Sequence, residues 1–283
     1  MSLDLFLTGL LQGLILAFVT YGVMIPFRLL NFADLSAEGA YPLGGTISTI
    51  FMMLHAPSFI AIAAAGFSSG LMGLCTAWIH LRLKVNALLS GIIMSIMIYS
   101  VNLRFLGKPN VAIFGQTTLF HHDVMVNCLF AFLFLLLILL PFIFFMKTDF
   151  GLKLRVVGLN PGCASRQGIS VSIFTMLGLF IAGSFNGISG ALMVQLQQYM
   201  DVGMGVGIVI HALASLMLGE VLVGRKTLKQ QLLAPLLGAL IYQQIQGIIL
   251  NLGLAPSDLK CFTGLFVLGI IGLQQRKLAD AYP

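Results

Sequence analysis

Long apolar runs separated by short polar breaks dominate this chain, and their lengths carry the first inference. A membrane-crossing helix needs about 20 predominantly apolar residues, and dividing the sequence at charges and at Pro or Gly breaks gives nine such candidates. They are 3–25, 36–54, 57–80, 85–106, 124–146, 170–196, 202–220, 228–250 and 259–273. The 43 residues from Gly39 to Leu81 carry no charge, which is too long for one helix; His55-Ala56-Pro57-Ser58 supplies the turn that makes two. The second and seventh candidates are Gly-rich with polar entrances and the ninth is short, so these three are where broken or re-entrant helices are expected. The expected fold is all-α: a polytopic helical bundle of about 8–10 spans forming a single domain over 1–283.

Composition agrees. Of 283 residues, 59% are hydrophobic and only 8% charged, with mean hydropathy +1.02, whereas a soluble domain carries about 25% charged residues. The excess of 15 Lys and Arg over 9 Asp and Glu sits in short runs between spans, a topological pattern and not a phosphate footprint, so no nucleic-acid partner is expected. With the N-terminus outside, Arg28, Arg82, Lys84, Lys147, Lys153, Arg155, Arg166, Arg225, Lys226, Lys229, Arg276 and Lys277 fall in the cytosol, leaving Arg104, Lys108 and Lys260 outside. That is the positive-inside arrangement, and it also places the C-terminus in the cytosol. The first apolar run has no basic leader and reads as a permanent span.

One cytosolic segment stands apart. Residues 147–169 are basic, with Gly151 and Gly158 flanking a turn that holds Arg155. Asn160 then serves as an N-cap, Pro161 as the first residue of a short helix containing Ala164, and Gly168 as its end. Such a helix lying along the membrane can dock on a partner; an ordinary cytosolic loop is the alternative.

The run Gly151-Leu-Lys-Leu-Arg155-Val-Val-Gly158-Leu-Asn160-Pro161, with Ala164 and Gly168, resembles the coupling segment of permease subunits in the branched-chain amino acid and ribose group of ABC importers. Arg28-Leu-Leu-Asn31-Phe32-Ala33-Asp34, with Glu38-Gly39, is similar to the segment after their first span, and Met217-Leu-Gly219-Glu220 through Gly224-Arg225 to their later cytosolic turn. The subgroup it is most like is associated with amino-acid importers. The resemblance implies a pore subunit of the bacterial inner membrane that carries no ATPase chemistry or cofactor of its own. ATP and Mg would be bound by separate cytosolic subunits, an extracytoplasmic binding protein would deliver the solute, and the permease would pair as a homodimer. Glu220 and Arg225 would join the coupling contacts. The nearest string to a phosphate-binding loop, Gly219 to Thr227, has Arg225 inserted before Lys226 and follows an apolar span, so it reads as a charged boundary.

Candidate pathway residues are the polar groups at membrane depth: Asn31, Asp34 and Glu38 beside the second span, Asn186 and Gln195 in the sixth, His211 in the seventh and Gln243 in the eighth. Arg28 is the expected ion partner of Asp34 and Glu38. Each of these has a structural alternative, as a headgroup anchor or an interhelical hydrogen bond. A stand-alone secondary transporter or channel would have to rely on Asp34, Glu38 and His211 for its coupling ion. An amino acid is the expected solute, with a sugar as substitute. The four scattered cysteines read as packing residues, and His121-His122-Asp123 as a solvated loop, so no metal site is expected. Finally, Asp34 to Gly39 and Asp201 to Gly205 each precede a Gly-rich span entered from opposite faces, an echo of an inverted repeat.

Overall fold

A computed structural model describes residues 3–121, 123–251 and part of 263–272. Ten helices follow in order: α1 (Leu3–Met24), α2 (Ala37–Met53), α3 (Ser58–Leu83), α4 (Ala87–Leu106), α5 (Val124–Lys147), α6 (Asp149–Leu159), α7 (Pro161–Arg166), α8 (Val171–Gln197), α9 (Ile208–Val223) and α10 (Leu228–Asn251). Among the described residues, 7 helical stretches are long and apolar enough to span a membrane. α2, at 17 residues, is the short eighth. The candidate span 259–273 falls mostly outside the described residues. Two three-residue strands, β1 (Asn110–Ala112) and β2 (Tyr199–Asp201), pair antiparallel at one end of the bundle and were not anticipated.

In lipid, burial of apolar surface does not sort helix faces, so packing relies on how closely backbones approach. α1 runs through the centre, buried from Leu11 to Ile25, and α4 and α5 form the periphery with many exposed apolar side chains. The tightest contacts are made through glycine. A Cβ on Gly73 would overlap the Leu179 carbonyl, on Gly183 the Ser69 carbonyl, and on Gly44 the backbone of Gly187, which ties α8 to α2 and α3. Gly219 and Gly238 do the same between α9 and α10, against Ala234 and Ser215. Hydroxyls and amides add cross-links: Tyr21 donates to the Leu232 carbonyl at 2.6 Å and Ser189 to that of Ile15 at 2.7 Å.

Two spans are interrupted. After α1 the helix widens into a π-turn, Ile25–Leu29, in which the Leu30 N–H reaches back to the Ile25 carbonyl; Pro26 sits inside it, unable to donate a normal helical bond. The chain then runs non-helically to α2, with Asn31 in the left-handed region at φ 51. On the far side of the bundle, residues 198–207 descend from β2 through a 3₁₀ turn, Val202–Gly205, to α9. The two descents match locally: Asp34 accepts from the Ser36 N–H and Asp201 from the Gly203 N–H, each at 2.7 Å. They also touch, since a Cβ on Gly205 would overlap the Glu38 carbonyl.

The alternation of helices sorts the charges onto two faces. Arg28, Arg82, Lys84, Lys147, Lys153, Arg155, Arg166, Arg225, Lys226 and Lys229 lie with α6 and α7; of the described Lys and Arg, only Arg104 and Lys108 lie at the opposite face.

Candidate functional site

The basic face is built around α6 and α7. The turn expected between Gly151 and Gly158 is instead the 11-residue helix α6. Both glycines serve close packing: a Cβ on Gly151 would overlap the Met146 backbone, and one on Gly158 the Leu29 carbonyl. Leu154 and Val157 are buried beneath them, and Arg155 Nε donates to the Gly151 carbonyl at 3.3 Å. Asn160 caps α7 as its sequence indicates, accepting from the Cys163 N–H at 3.0 Å, with Pro161 following and Gly168 at φ 76 ending the motif. Ala164 is buried, so α7 is pinned to the bundle while Leu159, 86% exposed, projects away from it. Cys163 and Cys75 are exposed rather than packed; Cys128 is buried.

Arg28 does not pair with Asp34 or Glu38. Its guanidinium grips Glu220 with two bonds, Nε to Oε1 at 2.7 Å and Nη2 to Oε2 at 2.6 Å. The pair joins the π-turn to the last turns of α9, and Glu220 therefore turns inward, away from the surface where Arg225 is exposed. Asp34 is buried and spends its oxygens on the Ser36 N–H and hydroxyl. Glu38 accepts from the Gly207 N–H at 3.1 Å, fastening the start of α2 to the start of α9. Asn31 lies in a cleft at the basic face beside Gly158 and Pro161.

Above this layer a cavity of ≈ 360 Å³ lies among α1, α2, α8, α9, α10 and the 198–207 descent. His211 and Gln243 line it. Gln243 donates to Gln12 at 2.6 Å, and His211 Nδ1 is within 3.2 Å of the Tyr242 hydroxyl and 3.3 Å of Gln246 Nε2. Gln195 and Asn186 stand outside it: Gln195 is buried between Ser48 and the Leu119 N–H, and Asn186 is pressed against Gly22. The cavity also holds Ser189, one of the polar residues that gather in the later spans, and Gln12, Tyr41 and Asp201, which sequence reading did not single out as pathway residues. Of the last three only Asp201 had a signal, as the first residue of the second half of the repeat; the others are single polar positions within apolar runs.

A bundle with two broken spans, a central polar cavity and a helical wedge on its basic face is the architecture of an ABC transporter membrane subunit. A solved ABC transporter of metal-chelate type, in an inward-facing conformation, superposes over 96% of this chain and 85% of its own with TM-score 0.50 at 19% identity, a likeness of fold alone. Residues 5–271 match the family of the branched-chain amino acid transport system, permease component, and the chain belongs to that family. It is similar to a tyrosine transport system permease protein of Clostridioides difficile, 33% identical over 92% of this chain and 88% of the relative. It is also 28% identical to the uncharacterized protein RP368 of Rickettsia prowazekii, over 98% of this chain and all of that one. A nucleoside ABC transporter permease protein from Lactococcus lactis matches over only 23% of this chain, at 38% identity. The chain is thus a multi-pass membrane permease subunit of an ABC transporter, a class that implies ATP-binding partner subunits.

Proposed function

We propose that this permease is the translocating subunit of an ATP-driven importer for an amino acid in the bacterial cytoplasmic membrane. The basic α6–α7 face lies in the cytosol, with the N-terminus outside, as the distribution of Lys and Arg supports. Cytosolic subunits bind ATP with Mg, hydrolyse the ATP, and dock on α6–α7 around Leu159, Arg166 and Arg225, all exposed there. A binding protein delivers solute at the opposite face, and two copies of this chain form the transporter.

One observation carries the reading: the docking face is mechanically continuous with the cavity. Gly158 on α6 abuts the carbonyl of Leu29, the residue after Arg28. Arg28 holds Glu220 on α9, and α9 carries His211 into the cavity. A displacement of α6 by a partner therefore reaches the cavity through the π-turn and an ion pair, both of which can adopt alternative geometry at modest cost. A stand-alone secondary transporter would have to bind its coupling ion at Asp34, Glu38 or His211, whereas Asp34 and Glu38 are engaged by backbone N–H groups and His211 by Tyr242 and Gln246; Asp201, the carboxylate that lines the cavity, is assigned to the solute below. The amino-acid reading is supported by the tyrosine transport relative and by a cavity lined by amides, phenols and a single carboxylate.

The test is uptake of labelled amino acids by proteoliposomes holding the chain with its ATPase and binding protein. ATP-dependent accumulation is expected; accumulation driven by an ion gradient without the ATPase would overturn the proposal.

A further inference from the structure

We infer that Asp201 is the group that binds the ammonium of the translocated solute; this rests on the amino-acid reading above and assigns a residue to it. Asp201 is the only carboxylate among the cavity's lining residues, and no Lys or Arg lines the cavity to neutralise it. It has no ion-pair partner among the described residues. Its Oδ1 accepts from the Gly203 N–H at 2.7 Å.

Asp201 is half-buried at the cavity wall, and a carboxylate there with no cationic neighbour in the lining offers its open lone pairs to a passing cation. A primary ammonium, a compact charge with three donors, fits a single carboxylate oxygen better than a planar fork would. The rest of the lining suits the remainder of an amino acid. The Tyr41 and Tyr199 phenols and Gln197 offer neutral donors for its carboxylate, and Leu16 and Val19 offer an apolar wall for its side chain. Neutral donors hold a carboxylate less firmly than Arg would, which suits a site that must release its load.

Asp201 also shapes its own turn, so loss of charge must be separated from loss of the turn. Asp201→Asn keeps a side-chain oxygen able to accept from the Gly203 N–H but removes the charge; Asp201→Glu keeps the charge but cannot form the same two-residue turn. In the uptake assay with all subunits present and a labelled mixture of the protein amino acids, Asp201→Asn is expected to lose at least tenfold in uptake. Asp201→Glu should stay within about threefold of wild type, and both variants should keep the wild-type melting temperature to within a few degrees. The inference is overturned if Asp201→Asn transports like wild type, or if both variants are reduced alike, since the turn would then explain the loss. No ATP-dependent uptake by the wild-type transporter would instead contradict the proposed function, and this inference with it.

Discussion

Arg28 and Glu220, 192 positions apart, are held together by two charge-assisted hydrogen bonds of 2.7 and 2.6 Å. The arrangement couples the only π-helical turn among the described residues to the end of α9. The Glu220 side chain is 5% exposed and that of Arg28 36%, so the two partners are not equivalent. Removing Arg28 strands a buried carboxylate. Arg28→Ala is expected to cost about 2–3 kcal/mol, below the ~3–5 kcal/mol of fully buried pairs because Arg28 is partly solvated. Glu220→Gln, which leaves no buried charge, should cost about 1 kcal/mol. Thermal denaturation in detergent measures both, and the exchange Arg28→Glu with Glu220→Arg should recover part of the loss.

Backbone contact between α2 and α8 leaves no room for a methyl group. Gly44→Ala or Gly187→Ala is expected to destabilise the bundle by about 3 kcal/mol, the upper end of overpacking costs, and to reduce the monodisperse fraction on size exclusion. Gly162→Ala in α7 is the control. A Cβ there meets nothing closer than Asn160 Oδ1 at 3.4 Å, and a helical Gly-to-Ala change gains ~0.5–1 kcal/mol.

The spans were legible in the sequence because length and charge define them independently of what they touch. The observed α3, α4, α5, α8 and α10 begin and end within three residues of the expected runs. What was not legible depends on contacts distant in the chain. Gly158 reads locally as a turn residue, but it packs against the distant backbone of Leu29, so α6 continues through it. The nearest acidic residues to Arg28 in sequence are Asp34 and Glu38, yet those satisfy N–H groups at the breaks, and its partner comes from α9. The α7 motif shows the reverse case. Asn160, Pro161 and Gly168 interact within a few residues, so their cap and stop could be read directly. Of the polar residues at depth, His211 and Gln243 reach the cavity, Gln195 bonds Ser48 on another helix, and Asn186 is buried against Gly22; periodicity cannot separate these roles in a span that is apolar all round.

His211 and Gln243 present polar groups to the cavity on facing helices. Gln243→Leu removes the bond to Gln12 and an amide from the wall. Uptake should fall severalfold with little change in melting temperature, because an interhelical hydrogen bond in a membrane is worth only about 0.6 kcal/mol. Transport at the wild-type rate would show that this wall does not meet the solute.

Leu159 is the most exposed apolar side chain of the proposed docking face. Leu159→Asp should leave the fold intact, since the side chain is 86% exposed, while abolishing co-purification of the ATP-binding subunit and with it ATP-dependent uptake.

The most direct test of coupling at α6–α7 uses a native side chain. Cys163 is exposed on α7, four residues beyond Leu159. With the other cysteines replaced by serine, a photoreactive thiol probe on Cys163 should cross-link the membrane-embedded transporter to its ATP-binding subunit, and Leu159→Asp should eliminate the adduct. A transporter that still accumulates solute on ATP, yet gives no adduct between Cys163 and that subunit, would contradict the account.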